Sequence, residues 1–109
     1  KSFDMAAYAR KMFGMYGGKE EWVRIECDNS FAGVMIDRFG KDVMMIPADE
    51  EHFTVNVNVY VSRQFLGWVF SLGEGIQIIG SEEVVEQMKA EAERMIRQYG
   101  CSEKELSRQ

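Results

Sequence analysis

The sequence predicts an α+β domain: a four-stranded antiparallel sheet with helices on one face. Three observations lead there. The run from His52 to Val61 alternates strictly, with Phe53, Val55, Val57, Val59 and Val61 on one side and His52, Thr54, Asn56, Asn58 and Tyr60 on the other. Successive side chains of a strand point to opposite faces, so this strand has one buried and one open side. Amphipathic helical runs flank it, Phe31 to Phe39 before and Ser62 to Leu72 after. Strand-like and helix-like pieces then succeed one another from Glu21 onward as β-α-β-β-α-β, with a further helix at each end.

Taken in order, Asp4 caps a short helix to about Phe13, on which Met5, Ala9, Met12 and Tyr16 recur at i, i+4, i+7 and i+11. Gly17-Gly18 ends it. Glu21 to Cys27 alternates and makes the first strand. Asp28-Asn29-Ser30 is a turn and N-cap cluster opening a helix from Phe31 to Phe39, where Phe31, Met35 and Phe39 stack at i+4 and Gly40 is the stop. A second strand covers Asp42 to Ile46, halted by Pro47, and Ala48-Asp49-Glu50-Glu51 connects it as a hairpin to the alternating third strand. Ser62 caps the next helix, with Phe65, Trp68, Val69 and Leu72 on its inner face and Gly73 at its end. Gly75 leads into a short fourth strand, Ile76 to Ile79. Ser81 starts the final helix, with Glu82 and Glu83 where the dipole favours anions and Val85, Met88, Ala92, Met95 and Tyr99 as its buried stripe. Gly100 terminates it.

A central β-β hairpin between two right-handed β-α-β crossings is the split β-α-β or ferredoxin-like plan, with strand order 4-1-3-2. Residues 1–18 then form an N-terminal helix and linker, 19–100 the ferredoxin-like domain with its final helix, and 101–109 a frayed tail. The first and third strands are central neighbours. Their outward parity gathers Trp22, Arg24, Glu26 and Asp28 beside His52, Thr54, Asn56, Asn58 and Tyr60, with Gln77 or Ile79 from the edge strand.

A chain of 109 residues is long enough for one domain that buries roughly two-thirds of its unfolded surface. Hydrophobic content of 46% with 28% charged residues is that of a soluble globular protein. A net charge of -5 argues against phosphate-driven nucleic-acid binding by this segment. No apolar run approaches the ~20 residues that span a bilayer. The start, Lys1-Ser2-Phe3-Asp4, does not read as a signal peptide, and its lack of Met suggests an excised fragment. Cys27 shares the apolar parity of its strand and reads as core; Cys101, after a helix stop, reads as a free surface thiol. With no secretory feature, a reducing cytoplasm is the simplest compartment.

No residue pattern demands catalysis. His52 follows three acidic residues, but these sit on a hairpin turn, where a solvated charge run deters edge pairing, and a single His lacks a second ligand cluster. There is no nucleophile elbow, no phosphate loop after a strand and no supported Cys-His pair. The loop after the first strand is acidic, against an acylphosphatase-like site, and Trp22 and Tyr60 stand among acidic neighbours, against RNA recognition. No catalytic residue, metal or cofactor is therefore expected. The open face admits three readings: a solvated surface, a protein interface anchored by Trp22 and Tyr60, or a ligand surface using Arg24, Asn56, Asn58 and Gln77. Two asparagines in a central strand point to a polar role, because asparagine is a poor strand former. Met44 and Met45 cannot both face the core, so one is expected at the surface.

The segment FAGVMIDRFG from Phe31 to Gly40, the strand ending Val59-Tyr60-Val61, and the run Leu66 to Gly73 (LGWVFSLG) followed by a short strand and a helix ending in Tyr99 form a resemblance. In their order and spacing they resemble the C-terminal extension (WCX-like) of WYL-domain bacterial transcriptional regulators, over roughly residues 3 to 99. The Phe3-Asp4-Met5 to Met15 stretch is similar to the segment joining a WYL core to that extension. The Trp-Tyr-Leu motif itself is absent, so no sensor residues transfer, and Gly80-Ser81 stands where the family often has a proline. The resemblance implies a non-catalytic regulatory and oligomerisation domain of a winged-helix DNA-binding regulator, contributing to effector sensing. Its implied partners are a second copy of itself, the parent's WYL core and a small-molecule or nucleotide effector, with no duplex DNA and no membrane. The alternative is a free-standing ferredoxin-like domain that binds a small ligand.

Overall fold

The alternation that marks His52 to Val61 sets the whole layer structure of the computed structural model, which describes residues 18–100. Strand β1 spans Lys19–Asp28, a 3-10 turn Asn29–Phe31, helix α1 Ala32–Phe39, β2 Met45–Pro47, β3 His52–Val61 and α2 Arg63–Ser71. After a second 3-10 turn, Gly73–Gly75, come β4 Ile76–Gly80 and α3 Glu82–Gln98. The fold is α+β, one antiparallel sheet in the order β2-β3-β1-β4 with three helices among the described residues. Read from the other edge, that order is β4-β1-β3-β2. The expected helix bearing Met5, Ala9, Met12 and Tyr16, together with Cys101 and the tail, lies outside the described residues.

The two ten-residue strands β1 and β3 pair along their full length, from Lys19 opposite Val61 to Asp28 opposite His52. Matching parity brings Val23, Ile25 and Cys27 to the same side as Phe53, Val55, Val57, Val59 and Val61, all buried. Ile76 and Ile78 of β4 extend this apolar face, and the helices cover it with Met35, Phe39, Phe65, Leu66, Val69 and Val84 in a single core. Each such side chain contributes about 1.5–3 kcal/mol on burial, so the helices are held by this one face. Trp68 of α2 receives Phe39 of α1 edge-on at 5.6 Å and the Arg38 guanidinium at 5.0 Å, fastening the two helices together. Cys27 is a free, buried thiol, pushed up to about 11 by burial and then by Asp28 and Glu26, and so serves as a small, inert core residue.

Several boundaries differ from expectation for physical reasons. β2 is Met45–Pro47 and not Asp42–Ile46: a Val43 N–H to Gly40 carbonyl bond of 3.1 Å holds the preceding residues in a turn. Pro47 belongs to the strand because β2 is an edge, where a missing N–H removes no ladder bond. Met44 and Met45 are both exposed, at 62% and 36%. Ser62 does cap α2, accepting from the Phe65 N–H at 3.4 Å, whereas Ser81 makes no side-chain cap to α3. On α3 the fully buried residue is Val84; Val85 and Met88 are half-buried, and Ala92, Met95 and Tyr99 are exposed. The 17-residue helix is about 25 Å long, and its buried residue lies in its first turn.

Two glycines show how tightly one loop is packed and how loosely one helix is. A Cβ on Gly75 would sit 2.4 Å from Phe31 Cε2 and 2.9 Å from Asp28 Oδ2, while one on Gly67 in α2 would meet nothing within 4 Å. Gly75→Ala is expected to lower stability by about 1–3 kcal/mol through overpacking. Gly67→Ala is expected to raise it by about 0.5–1 kcal/mol, because alanine suits a helix interior better. Urea unfolding of both variants beside the parent chain checks this opposition of sign.

Candidate functional site

The sheet face turned away from the helices is where the polar parity of β1 and β3 converges. Residues directly opposite on an antiparallel pair stand about 4.5–5.5 Å apart, close enough to interact. The register places Tyr60 across from Glu20, Asn58 from Trp22, Asn56 from Arg24, Thr54 from Glu26 and His52 from Asp28. The five residues singled out from the sequence, Trp22, Arg24, Asn56, Asn58 and Tyr60, thus fall in three successive pairs. Gln77, opposite Glu26, and Ile79 come from β4, and Ile46, opposite Thr54, from β2. A register shift between Ile25 and Arg24 makes Gly80 the partner of Arg24 and leaves Ile79 as the extra residue of a bulge at the end of β4.

The asparagines are engaged across the ladder. Arg24 Nε donates to Asn56 Oδ1 at 3.4 Å. With its amide turned to suit both neighbours, Asn58 donates to Glu20 Oε2 at 2.6 Å and accepts from Trp22 Nε1 at 3.2 Å. The indole N–H is satisfied within the sheet, yet the Trp22 side chain is 65% exposed. Ile46 and Ile79 add exposed apolar surface toward the two sheet edges. Glu20 and Ile46 were not identified from the sequence. Glu20 lies one residue before the strand start inferred there, and Ile46 was assigned beside a proline read as a stop; carrying the two-residue parity through both would have found them.

At one end of the same face, His52 is held between two carboxylates. Its Nδ1 lies 2.8 Å from Asp49 Oδ1 and its Nε2 3.1 Å from Asp28 Oδ1. Asp49 also accepts from the Glu51 N–H at 2.7 Å, and Asn29 donates through its backbone to Glu51 and through its side chain to Glu50. The β2–β3 turn is thereby latched to the end of β1. Hydrogen bonding to Asp49 raises the His52 pKa above its ordinary value, and the Glu51 N–H and then His52 lower that of Asp49. Such groups are largely solvated, so the latch is a local device. Among the described residues no cluster of three or more His, Cys, Asp or Glu could hold a metal ion, and no helix is long and apolar enough to cross a membrane.

Residues 19–96 match the family described as WCX domain. The chain belongs to the WCX domain family. A search of curated proteins found no match. The match runs from the first residue of β1 to the last turns of α3, so the open face belongs to the WCX domain itself. WCX is a regulatory type of domain and not a known catalytic family.

His52 is the only histidine of this WCX domain chain, so its ring gives a single NMR titration. Its midpoint is expected above 6.5 and should return toward 6.5 in Asp49→Asn. Because the folded pKa is raised, the stabilisation from His52 is full below 6.5 and fades as pH rises through the folded value. Asp49, lowered, contributes fully above 3.8 and loses its contribution as pH falls through its folded value. The latch is therefore strongest between these two pH values, and a wild-type midpoint at or below 6.5 would rule it out.

Proposed function

We propose that this WCX domain is the non-catalytic C-terminal regulatory module of a WYL-type, winged-helix DNA-binding transcriptional regulator, and that its open sheet face is an assembly interface. The family match supports the regulatory assignment, and the β-α-β-β-α-β succession with its strand order supports the ferredoxin-like plan. The observation that carries the interface reading is Trp22: a mostly exposed indole, oriented by Asn58, on a face where Arg24 bonds Asn56 and Asn58 bonds Glu20 across the ladder. An exposed aromatic ring set among satisfied polar groups is the composition of an interface centre with its rim. A surface meant to read a small polar ligand would instead keep its amides unengaged. Asn56 and Asn58 do not fit that description, since Arg24, Glu20 and Trp22 already use them. The surface it meets is a second copy or the WYL core of the same regulator, and effector sensing then works through this contact.

In the full regulator, Trp22→Ala is expected to weaken assembly by about 2 kcal/mol, the scale of an interface anchor. Thermal stability of the domain should change little. Replacing Asn56 and Asn58 together by Thr should leave stability unchanged or raised, since Thr suits a strand better, while assembly weakens as Trp22 loses its bonding partner. Sedimentation beside thermal melting separates the two effects. Unaltered assembly and effector response in both variants would return this face to a solvated surface. Tight binding of a small ligand at the Arg24–Asn56 pair of a self-sufficient domain would favour the free-standing binding reading.

A second expectation concerns DNA. The 109-residue chain carries a net charge of -5, and in this reading the DNA-reading helix lies elsewhere in the regulator, so the chain should show no measurable duplex affinity at physiological salt. Tight, salt-sensitive binding in an anisotropy titration would contradict the assignment.

A further inference from the structure

Two departures from ordinary helix composition meet on the outer side of α2. Gly67 stands in the helix interior, where glycine is unfavourable relative to alanine, and a Cβ there would meet nothing within 4 Å. No neighbour in the described domain asks for glycine at this position. One turn on, Phe70 leaves its ring 68% exposed, although the helix buries Phe65, Leu66 and Val69 on its other side. Arg63, Gly67 and Phe70 fall at i, i+4 and i+7 on a single exposed stripe. Glu74 follows in the turn Gly73–Gly75, exposed at the far end of the same helix. A bare backbone and a projecting ring thus lie one turn apart, between a cation at one end and a carboxylate at the other.

Such a stripe complements itself about a twofold axis. In an isologous contact, if one residue meets another across the axis, the reverse contact forms as well. When two copies of α2 lie antiparallel with Phe70 seated on Gly67 of the second copy, the second ring is seated on the first glycine in return. Arg63 lies four residues before Gly67 and Glu74 four after Phe70, so the same register brings Arg63 to Glu74 at both ends. The charges are opposite where this register makes them meet, and the two helix dipoles oppose each other. Arg63 already uses its Nε on Glu91 at 3.1 Å, and its guanidinium fork holds further N–H donors for a second carboxylate. We propose that two copies of this chain pair through antiparallel α2 helices, Phe70 on Gly67 and Arg63 beside Glu74, each contact made twice. The occupant is a second copy and not an unrelated helix, because the ring, its seat and both matching charges stand on this one face. α2 covers the side of the sheet opposite Trp22, so the pairing neither uses the open face nor depends on the regulator assignment. One nine-residue helix per copy makes a contact below the ~1,200 Å² of a standard interface, so the dimer is weak and forms at high micromolar concentration.

Sedimentation velocity of the 109-residue chain at rising concentration tests the pairing. The parent should pass from monomer to dimer, and Phe70→Ser should weaken that step at least about a hundredfold, because the twofold removes two rings at once. Its urea midpoint in dilute solution should stay unchanged, since the ring lies outside the core. Gly67→Ala should raise that midpoint and yet weaken association about tenfold, an opposition that a purely internal role for Gly67 would not produce. Arg63→Glu and Glu74→Arg should each remain monomeric alone. Mixed together they should associate, because every facing pair then joins opposite charges again. Losing the internal Glu91 contact in Arg63→Glu cannot produce that recovery. A parent chain that is monomeric throughout would overturn the proposal, and so would association unchanged by Phe70→Ser, or a mixture that stays monomeric. Dimers kept in Phe70→Ser and lost in Trp22→Ala would overturn it too, and would place the copies on the open face.

Discussion

The register of β1 on β3 is the constraint on which the rest of the molecule depends. Ten consecutive pairs join the two strands, and their two-residue parity decides both faces at once. In this register Val23, Ile25 and Cys27 join Phe53, Val55, Val57, Val59 and Val61 under the helices. A slip by one residue would carry one strand's apolar set into water and bring its polar set against the core. Burial on one side thus fixes which side chains meet on the other. The pairs Trp22–Asn58 and Arg24–Asn56 are consequences of core packing as much as of their own hydrogen bonds.

The ends of this ladder are secured differently. At the end where Asp28 faces His52, polar contacts do the work: the imidazole between Asp28 and Asp49, and Asn29 bonded to Glu50 and Glu51, tie a turn that contributes no core residue. At the other end the Ser62 hydroxyl caps α2 directly after β3, so the chain passes from ladder to helix without a loop. The edges also differ. β2 is three residues long and contains Pro47, which limits further strand addition, while β4 ends in a bulge at Ile79 that turns the chain toward α3.

What the sequence made legible follows from which signals are local. The alternation in His52 to Val61 and the stripes Met35–Phe39 and Phe65–Val69 are set within a few residues, so the strands, the helices and the five open-face residues could all be named in advance. Edge position and the extent of helix burial are not local. Pro47 reads as a stop until β2 is known to be an edge strand, and the Val85-to-Tyr99 stripe reads as buried throughout although Ala92, Met95 and Tyr99 are exposed. Glu20 escaped notice for a smaller reason, a strand start placed one residue late. The bonding of Asn58 to both Glu20 and Trp22 needed the cross-strand register, which no single strand's sequence contains.

The two asparagines exchange strand propensity for bonds across the ladder. Each occupies a central-strand position where a β-branched residue would be favoured by the pleat, by part of a scale spanning about 1 kcal/mol. The geometry shows what replaces that preference: Asn56 takes the Arg24 guanidinium, and Asn58 joins a carboxylate to an indole N–H. Threonine at residue 58 has one hydroxyl and is too short to hold both neighbours across the ladder. An indole so held cannot fold down onto the sheet to hide its ring, and it presents that ring to whatever approaches. A solvated face has no need of such an arrangement, because a polar residue in place of Trp22 would be better hydrated. The local departures from strand propensity therefore coincide with the one large exposed aromatic side chain of the open face, and that coincidence is what directs attention to Trp22 and not to the polar groups around it.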